Sequence, residues 1–322
     1  MTGGAGFIGS HFVRTSLAGD HGDVPDLVTV LDKLTYSGNL ANLGAVQDDP
    51  RLRFVRGDVC DPSVCDDLVS EVDAVVHFAA ESHVDRSIQD AREFVLTNVV
   101  GTQMLLDAAL RRGVERFVHV STDEVYGSIS TGSWTETHPL SPNSPYAASK
   151  AGSDLLALAY ARTHRLPVMV TRCSNTYGPF QFPEKLIPLF VTNLLDEQDV
   201  PLYGDGLNVR DWLHVDDHCR AISLVLAGGR PGEVYNIGGG TELSNREVTG
   251  MLLKALGQGW ERVIPVGDRQ AHDRRCSVDA RKIRTELGFT PRVPFAEGLA
   301  DTVDWYRRRR DWWEPLRIKP QG

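Results

Sequence analysis

Tyr146 and Lys150 stand four residues apart in Tyr146-Ala-Ala-Ser-Lys150, a spacing that sets a phenol and an ammonium on one face of a helix. At about 4 Å and an effective dielectric near 20 their attraction is about 4 kcal/mol, which predicts a phenol acidified by up to about 3 units from its usual value near 10. Such a tyrosine is a base for an alcohol proton near neutral pH, with Ser121 and Thr122 as the hydroxyl donors beside it. Asp123 and Glu124 follow directly in FVHVSTDE. Oxidising an alcohol needs a base, an ammonium and a hydroxyl donor, so two carboxylates exceed that need. Elimination of water employs both: one removes a C–H proton and the other protonates the departing hydroxyl. Two carboxyls in one apolar site also push their proton affinities apart, which keeps one of them neutral at pH 7.

Gly4-Ala-Gly6-Phe-Ile-Gly9 matches G-x-G-x-x-G, and Gly3, Gly6 and Gly9 recur every third residue. Glycines so spaced let backbone N–H groups meet a pyrophosphate at a helix N-terminus, with His11–Leu17 continuing as the helix. Asp32 closes LVTVLD, 23 residues after Gly9, where a carboxylate accepts from both ribose hydroxyls and repels a 2′-phosphate. NAD is therefore expected rather than NADP, with Lys33 as the opposing charge. A strand should lead into this motif, but only Met1 and Thr2 precede it. Either that strand is cut short in this numbering or the chain's start lies upstream.

These groups need strand ends and helix faces to hold them. Short β-branched runs at Leu27–Leu31, Leu52–Val55, Ala74–Phe78, Phe117–Val120 and Pro167–Thr171 alternate with helical patterns over Arg92–Arg112 and Tyr146–Arg162. That alternation predicts an α/β fold, a doubly wound, Rossmann-like parallel sheet with a smaller C-terminal substrate domain. The expected division gives residues 1–178 to the dinucleotide and 179–322 mainly to the substrate, with a segment around 209–238 returning to the first domain. A last amphipathic helix is expected near Phe295–Arg309.

The chain has 322 residues, 41% of them apolar and 24% charged, enough for a large core without staples. Lys and Arg number 34 against 43 Asp and Glu, a net charge of −9, so neither nucleic acid nor an anionic membrane is an expected partner. An anionic ligand needs locally placed donors. No apolar run approaches the about 20 residues of a spanning helix, no signal-peptide layout opens the chain, and a cytoplasmic location is expected. The five cysteines contain no C-x-x-C pair and predict reduced thiols. His214-Val-Asp-Asp-His218 has the i, i+4 histidine spacing of a helical zinc site but lacks its glutamate. The alternative, which we favour, has Asp216 or Asp217 capping the following helix and no metal bound. WYRRRRDWW at 305–313 reads as a solvated helix end with packed tryptophans.

Over nearly its whole length the sequence resembles the extended short-chain dehydrogenase/reductase family, within it the sugar-nucleotide dehydratases acting on dTDP-glucose. TGGAGFIGSH, HFAAESHVDRS, STDEVYG, PYAASKA, EKLIPLF and PLYGDGLNVRDW carry the resemblance. The TDE triplet discriminates most, because 4-epimerases of similar fold usually lack the acid pair. The resemblance implies that Tyr146 takes the 4-hydroxyl proton, Glu124 the C5 proton, and Asp123 protonates the C6 hydroxyl, with Thr122 and Lys150 assisting and hydride returning to C6. It implies an NAD site of Gly3, Gly6, Phe7, Ile8, Gly9, Asp32, Lys33, Thr35, Asp58, Val59, Phe78, Ala79, Ala80 and Thr97 with Tyr146 and Lys150. Ser82, Thr122 and Asn175 would face the hexose, and Glu184, Lys185, Leu186, Pro201, Tyr203, Arg210, Asn245, Arg269 and His272 the dTDP moiety. Two departures from the family, Thr176 for a common Asn and Cys276 for an aromatic, are expected near that pocket. A homodimer through a four-helix interface of Val99–Arg112 and Ala147–Arg162 is also implied. The rival readings are a 4-epimerase, a dehydratase of a UDP- or GDP-hexose, and a silent NAD-binding protein.

Overall fold

The structure is a computed structural model and describes residues 1–317. The first strands in the chain are β1 (Val28–Asp32), β2 (Leu52–Arg56), β3 (Ala74–His77), β4 (Arg116–Thr122) and β5 (Val168–Cys173). Every residue of β1 and β5 is buried, as expected of parallel strands covered on both faces. β1 pairs in parallel with β2, and β3, β4, β5 and the later β9 (Val234–Ile237) form a second parallel run in that order. Thr2 joins the two runs, bridging in parallel to Leu31 and to His77. The position expected for a strand ahead of the glycines is thus the centre of the sheet, where Thr2 lies. The Met1 ammonium beside it is fully enclosed and donates to Thr29 O at 2.7 Å, and burial pulls its pKa down to about 5.

Helices cover both faces. On one side α1 (Phe7–Ala18) and α8 (Val215–Gly228) pack on the sheet through Phe12, Val118, Met169, Ile222 and Ile237. On the other, α2 (Pro62–Val69), α5 (Thr102–Arg112) and α6 (Pro145–His164) bury Val69, Leu106, Phe117 and Leu158. Between β3 and α5 lie α3 (Val84–Gln89), α4 (Arg92–Phe94) and a π-helical stretch, Val95–Gly101. The single helix expected over Arg92–Arg112 is therefore interrupted by wider turns, a departure that a hydrophobic period does not record.

A second core is built by α7 (Leu186–Leu195), α9 (Asn245–Leu256), α11 (Phe295–Arg308) and α12 (Arg310–Arg317) around Phe190, Leu252, Val303 and Trp313. Small sheets frame it: β6 (Asn175–Tyr177), β8 (Val209–His214), β10 (Glu242–Ser244) and β12 (Arg275–Cys276) in one, β7 (Val200–Tyr203) and β11 (Val263–Val266) in the other. α10 (Arg281–Leu287) instead packs Ile283 with the first core. Trp312 and Trp313 are buried while arginines 307 to 310 ion-pair or hydrogen-bond at the surface, as expected for that basic stretch. The cap of α8 differs from expectation. His214 Nδ1 accepts from Asp216 N at 3.3 Å, while the Asp217 carboxylate accepts from Arg292 N and Val293 N and that of Asp216 meets His11. Both aspartates are committed to tertiary partners, leaving the cap to the histidine.

Candidate active site

The crossover between the two halves of the sheet falls at Thr2, where open α/β folds form their ligand crevice. Gly3 has φ +68°, and a Cβ there would lie 2.6 Å from Ala79 N; a Cβ on Gly9 would lie 2.3 Å from Gly3 O. Both glycines are required by the protein's own packing. Gly6 is not, since its Cβ would meet only Gly3 O at 3.3 Å. It is the N-cap of α1, no side chain caps that terminus, and no acidic residue sits in the first turn. The N-terminal dipole and free N–H groups of α1 therefore face a space a Cβ would narrow, as an anion-binding cradle requires. At the end of β1, Asp32 Oδ2 accepts from Ala5 N at 2.9 Å and Oδ1 from Leu34 N at 2.8 Å, so backbone donors orient the carboxylate. Lys33 pairs with Asp58 at 2.7 Å, which engages the cation that opposed the NAD reading.

The reacting groups hang from β4 and α6. β4 ends at Thr122, whose hydroxyl accepts from Glu124 N at 3.2 Å and caps the single 3-10 turn Asp123–Tyr126. Ser144 caps α6 and Pro145 begins it, and Tyr146 and Lys150 follow on its first turns. Asp123 is buried, Thr122 Oγ1 donates to its Oδ1 at 3.3 Å, and Oδ2 has no partner. Burial first, then the Glu124 charge, push the Asp123 carboxyl up to about 8, so it carries its proton at pH 7. Burial also raises Glu124, with Arg210 opposing.

The Tyr146–Lys150 pair departs from expectation. Lys150 Nζ donates to Val120 O at 2.9 Å, and burial lowers it to about 8. Tyr146 is pushed well above its ordinary value by burial, then by Glu124 and Asp123. The i, i+4 spacing shares a face but does not fix where Nζ points. Desolvation and two carboxyls outweigh a cation turned toward a backbone carbonyl.

The facing wall comes from the second core. Arg210 on β8 donates to Asp273 O at 2.9 Å and moderates both acids. Arg269 grips both oxygens of Asp85 and lies 5.3 Å from the Tyr203 ring centroid. Glu184 accepts from Tyr36 OH at 3.0 Å, and Lys185 Nζ donates to Ser82 O at 2.9 Å. Every residue proposed for the site from the sequence lines this one cleft, whose volume is about 1180 Å³. That exceeds the roughly 300–1,000 Å³ of a single small-ligand pocket and suits two nucleotides side by side. Thr176 lines the cleft and meets His218 Nδ1 at 3.0 Å. Cys276 does not line it: on β12, paired in register with Arg210 of β8, it is buried behind the wall.

Supporting residues escaped the sequence reading. Asn98, in the π-helical stretch, accepts from Glu81 N at 2.8 Å and donates to Glu81 O and Ser149 Oγ, pinning the loop after β3 to α6. Arg172 joins Asp154 on α6, at 2.8 Å, to the Tyr126 hydroxyl at 2.7 Å, and Tyr126 donates to Asn236 at 2.9 Å. A buried rail thus runs from the Tyr146–Lys150 helix to the turn carrying Asp123 and Glu124. STDEVYG hints at Tyr126, but nothing local pairs it with Arg172.

Residues 1–302 match the family described as GDP-mannose 4,6 dehydratase. A dTDP-glucose 4,6-dehydratase of Streptomyces antibioticus is 65% identical over 324 residues, covering 100% of this chain and 96% of that protein. The crystal structure of DesIV, a dTDP-glucose 4,6-dehydratase from Streptomyces venezuelae with NAD and dTDP bound, superposes with a TM-score of 0.97 at 66% identity over 98% of each chain. A UDP-glucose 4-epimerase of Thermotoga maritima, bound to UDP-glucose, reaches a TM-score of 0.87 at 31% identity, covering 95% of this chain and 97% of its own.

Proposed function

The chain belongs to the GDP-mannose 4,6 dehydratase family, and we propose that it converts dTDP-glucose to dTDP-4-keto-6-deoxyglucose. The observation that carries this reading is the acid pair, buried Asp123 holding its proton beside Glu124, in the same cleft as Tyr146 and Lys150. NAD, when bound, supplies a hydride acceptor that is restored within the turnover and a positive charge near the reacting carbon. The α1 N-terminus, Asp32 and the loop Phe78–Ala80 hold it.

The chain's own residues handle the protons. Thr122 orients the C4 hydroxyl, and Tyr146 takes its proton once positive charge offsets the carboxyls that now hold the phenol protonated. Lys150, fully enclosed, is the chain's own contribution to that charge. The C4 ketone acidifies the neighbouring C5 hydrogen, which Glu124 removes. Asp123 passes its proton to the C6 hydroxyl, which leaves as water, and Glu124 returns a proton to C5 as hydride is restored to C6. Arg210 and Arg269 hold the pyrophosphate by forked donation, and Ser82, Asn175, Glu184, Lys185, Tyr203, Asn245 and His272 line the sugar and base positions. A 4-epimerase uses the tyrosine and lysine but has no task for two adjoining carboxyls.

Purified protein incubated with dTDP-, UDP- and GDP-glucose is expected to form 4-keto-6-deoxy product from the dTDP sugar. Epimerised hexose with no loss of water would refute the reading. We also read the protein as a cytoplasmic homodimer. Leu155, on one of the two helical segments expected at a dimer interface, is 59% exposed, and Val95 and Leu96, just ahead of the other, are 47% and 41% exposed. A light-scattering mass of one 35.5 kDa chain would exclude the dimer.

A further inference from the structure

The histidine pair that had a zinc-like spacing in the sequence is not used as a pair: His218 turns to Thr176 and His214 caps α8. The aspartate between them, Asp216, is approached from elsewhere. His11 on α1 brings its Nε2 to 3.1 Å from Asp216 Oδ1, and His21, in the loop after α1, brings its Nε2 to 3.2 Å from the same oxygen. One donor atom from each of the three lies within 4.8 Å of the others. The His21 side chain is 6% exposed, and neither ring nitrogen makes a well-formed hydrogen bond. An imidazole enclosed to that degree, beside a carboxylate but with no well-formed hydrogen bond, is costly to keep unless something ligates it.

We propose that His11, His21 and Asp216 form a three-ligand site for a borderline divalent cation of zinc's class, closing the loop after α1 onto α8. With bonds of about 2.1 Å, tetrahedral ligand atoms stand roughly 3.4 Å apart, close to both measured separations. Two imidazoles and one carboxylate suit zinc, cobalt or nickel rather than magnesium or calcium. Asp216 is 37% exposed, which leaves an entry path and a fourth position for water. None of the three residues lines the catalytic cleft, so the site is separate from it. Binding releases no net proton: the hydrogen that His11 Nε2 shares with Asp216 moves to Nδ1 as the cation takes its place. Arg14, whose Nη2 lies 3.5 Å from His11 Nδ1, is a like charge that opposes the cation.

The test uses the full chain, stripped with a chelator and titrated with Co2+ followed by Zn2+. Wild type is expected to develop the strong visible bands of tetrahedral cobalt and to release the cobalt stoichiometrically to zinc. His21→Ala is expected to lose those bands and to bind zinc at least about 10-fold more weakly, since even outer-shell losses at metal sites cost that much. His21→Cys is expected to keep tetrahedral cobalt and add a sulfur charge-transfer band. Zinc should raise the melting temperature of wild type and of His21→Cys but not of His21→Ala. Equal cobalt spectra in wild type and His21→Ala, or only weak octahedral bands in all three proteins, would overturn the proposal.

Discussion

At the scale of single residues the account rests on where protons sit. Asp123 keeps its proton to about pH 8 in the folded protein, whereas an aspartate in an unfolded chain loses it near 4. Turnover is therefore expected to fall as pH rises through about 8, where burial also strips the proton from Lys150. The same shift has a stability consequence with a definite sign. Between about pH 4 and 8 the folded state binds the extra proton, so this residue's contribution is fully present below about 4 and is lost as pH climbs through 8. Asp123→Asn removes that slope, and its melting temperature should gain on wild type from pH 5 to pH 8.5; a constant difference would show that Asp123 ionises normally. Asp32 governs the cofactor. With Lys33 held by Asp58, NADP is expected to restore a stripped preparation far less well than NAD, and equal rescue would contradict that assignment. The acid pair, the tyrosine, the lysine and the glycines were legible because their residue types are scarce in such combinations. The direction of Lys150 Nζ was not, since spacing on a helix says nothing of which acceptor lies beneath it.

At the scale of elements, strands β1 to β5 were readable to within about two residues at either end, β1 and β5 because both of their faces are buried and β2 by its Leu-x-Phe-Val core alone. The π-helical stretch and the buried rail were not. Each depends on partners 17 to 110 positions away in the chain, such as Asn98 with Glu81 and Tyr126 with Asn236. The rail yields its own prediction. Tyr126→Phe deletes the hydroxyl between Arg172 and Asn236 and leaves a buried guanidinium with one partner fewer. Turnover should fall by about 10- to 100-fold through displacement of the acid turn, while NAD content is unchanged. A parallel loss of NAD would mean that the rail only supports the fold.

At the scale of the molecule, two cores face each other across the cleft and are tied by contacts between distant parts of the chain. Arg269 holds Asp85, Glu184 holds Tyr36, and Trp312 Nε1 donates to Asn42 Oδ1 at 2.8 Å. The second core was the least legible part, since it is assembled from short elements scattered over residues 175 to 317 with no period linking them. Its tryptophans test it. Trp313 is fully buried and donates to Tyr306 O at 2.8 Å, so Trp313→Ala is expected to cost about 3–5 kcal/mol by denaturant unfolding. A loss below about 1 kcal/mol would mean that the C-terminal helix is not part of the core.

The central claim is that Glu124 and Asp123 divide the elimination between them as base and acid. Deuterium exchange at C5 of the dTDP-hexose, followed in heavy water beside water loss, addresses it directly. Asp123→Asn should still exchange the C5 hydrogen while loss of water falls by about 10²–10⁴-fold, the usual penalty for a missing general acid. Glu124→Gln should abolish the exchange itself, and Tyr146→Phe should stop both because no ketone forms. Exchange at the wild-type rate in Glu124→Gln would contradict the account.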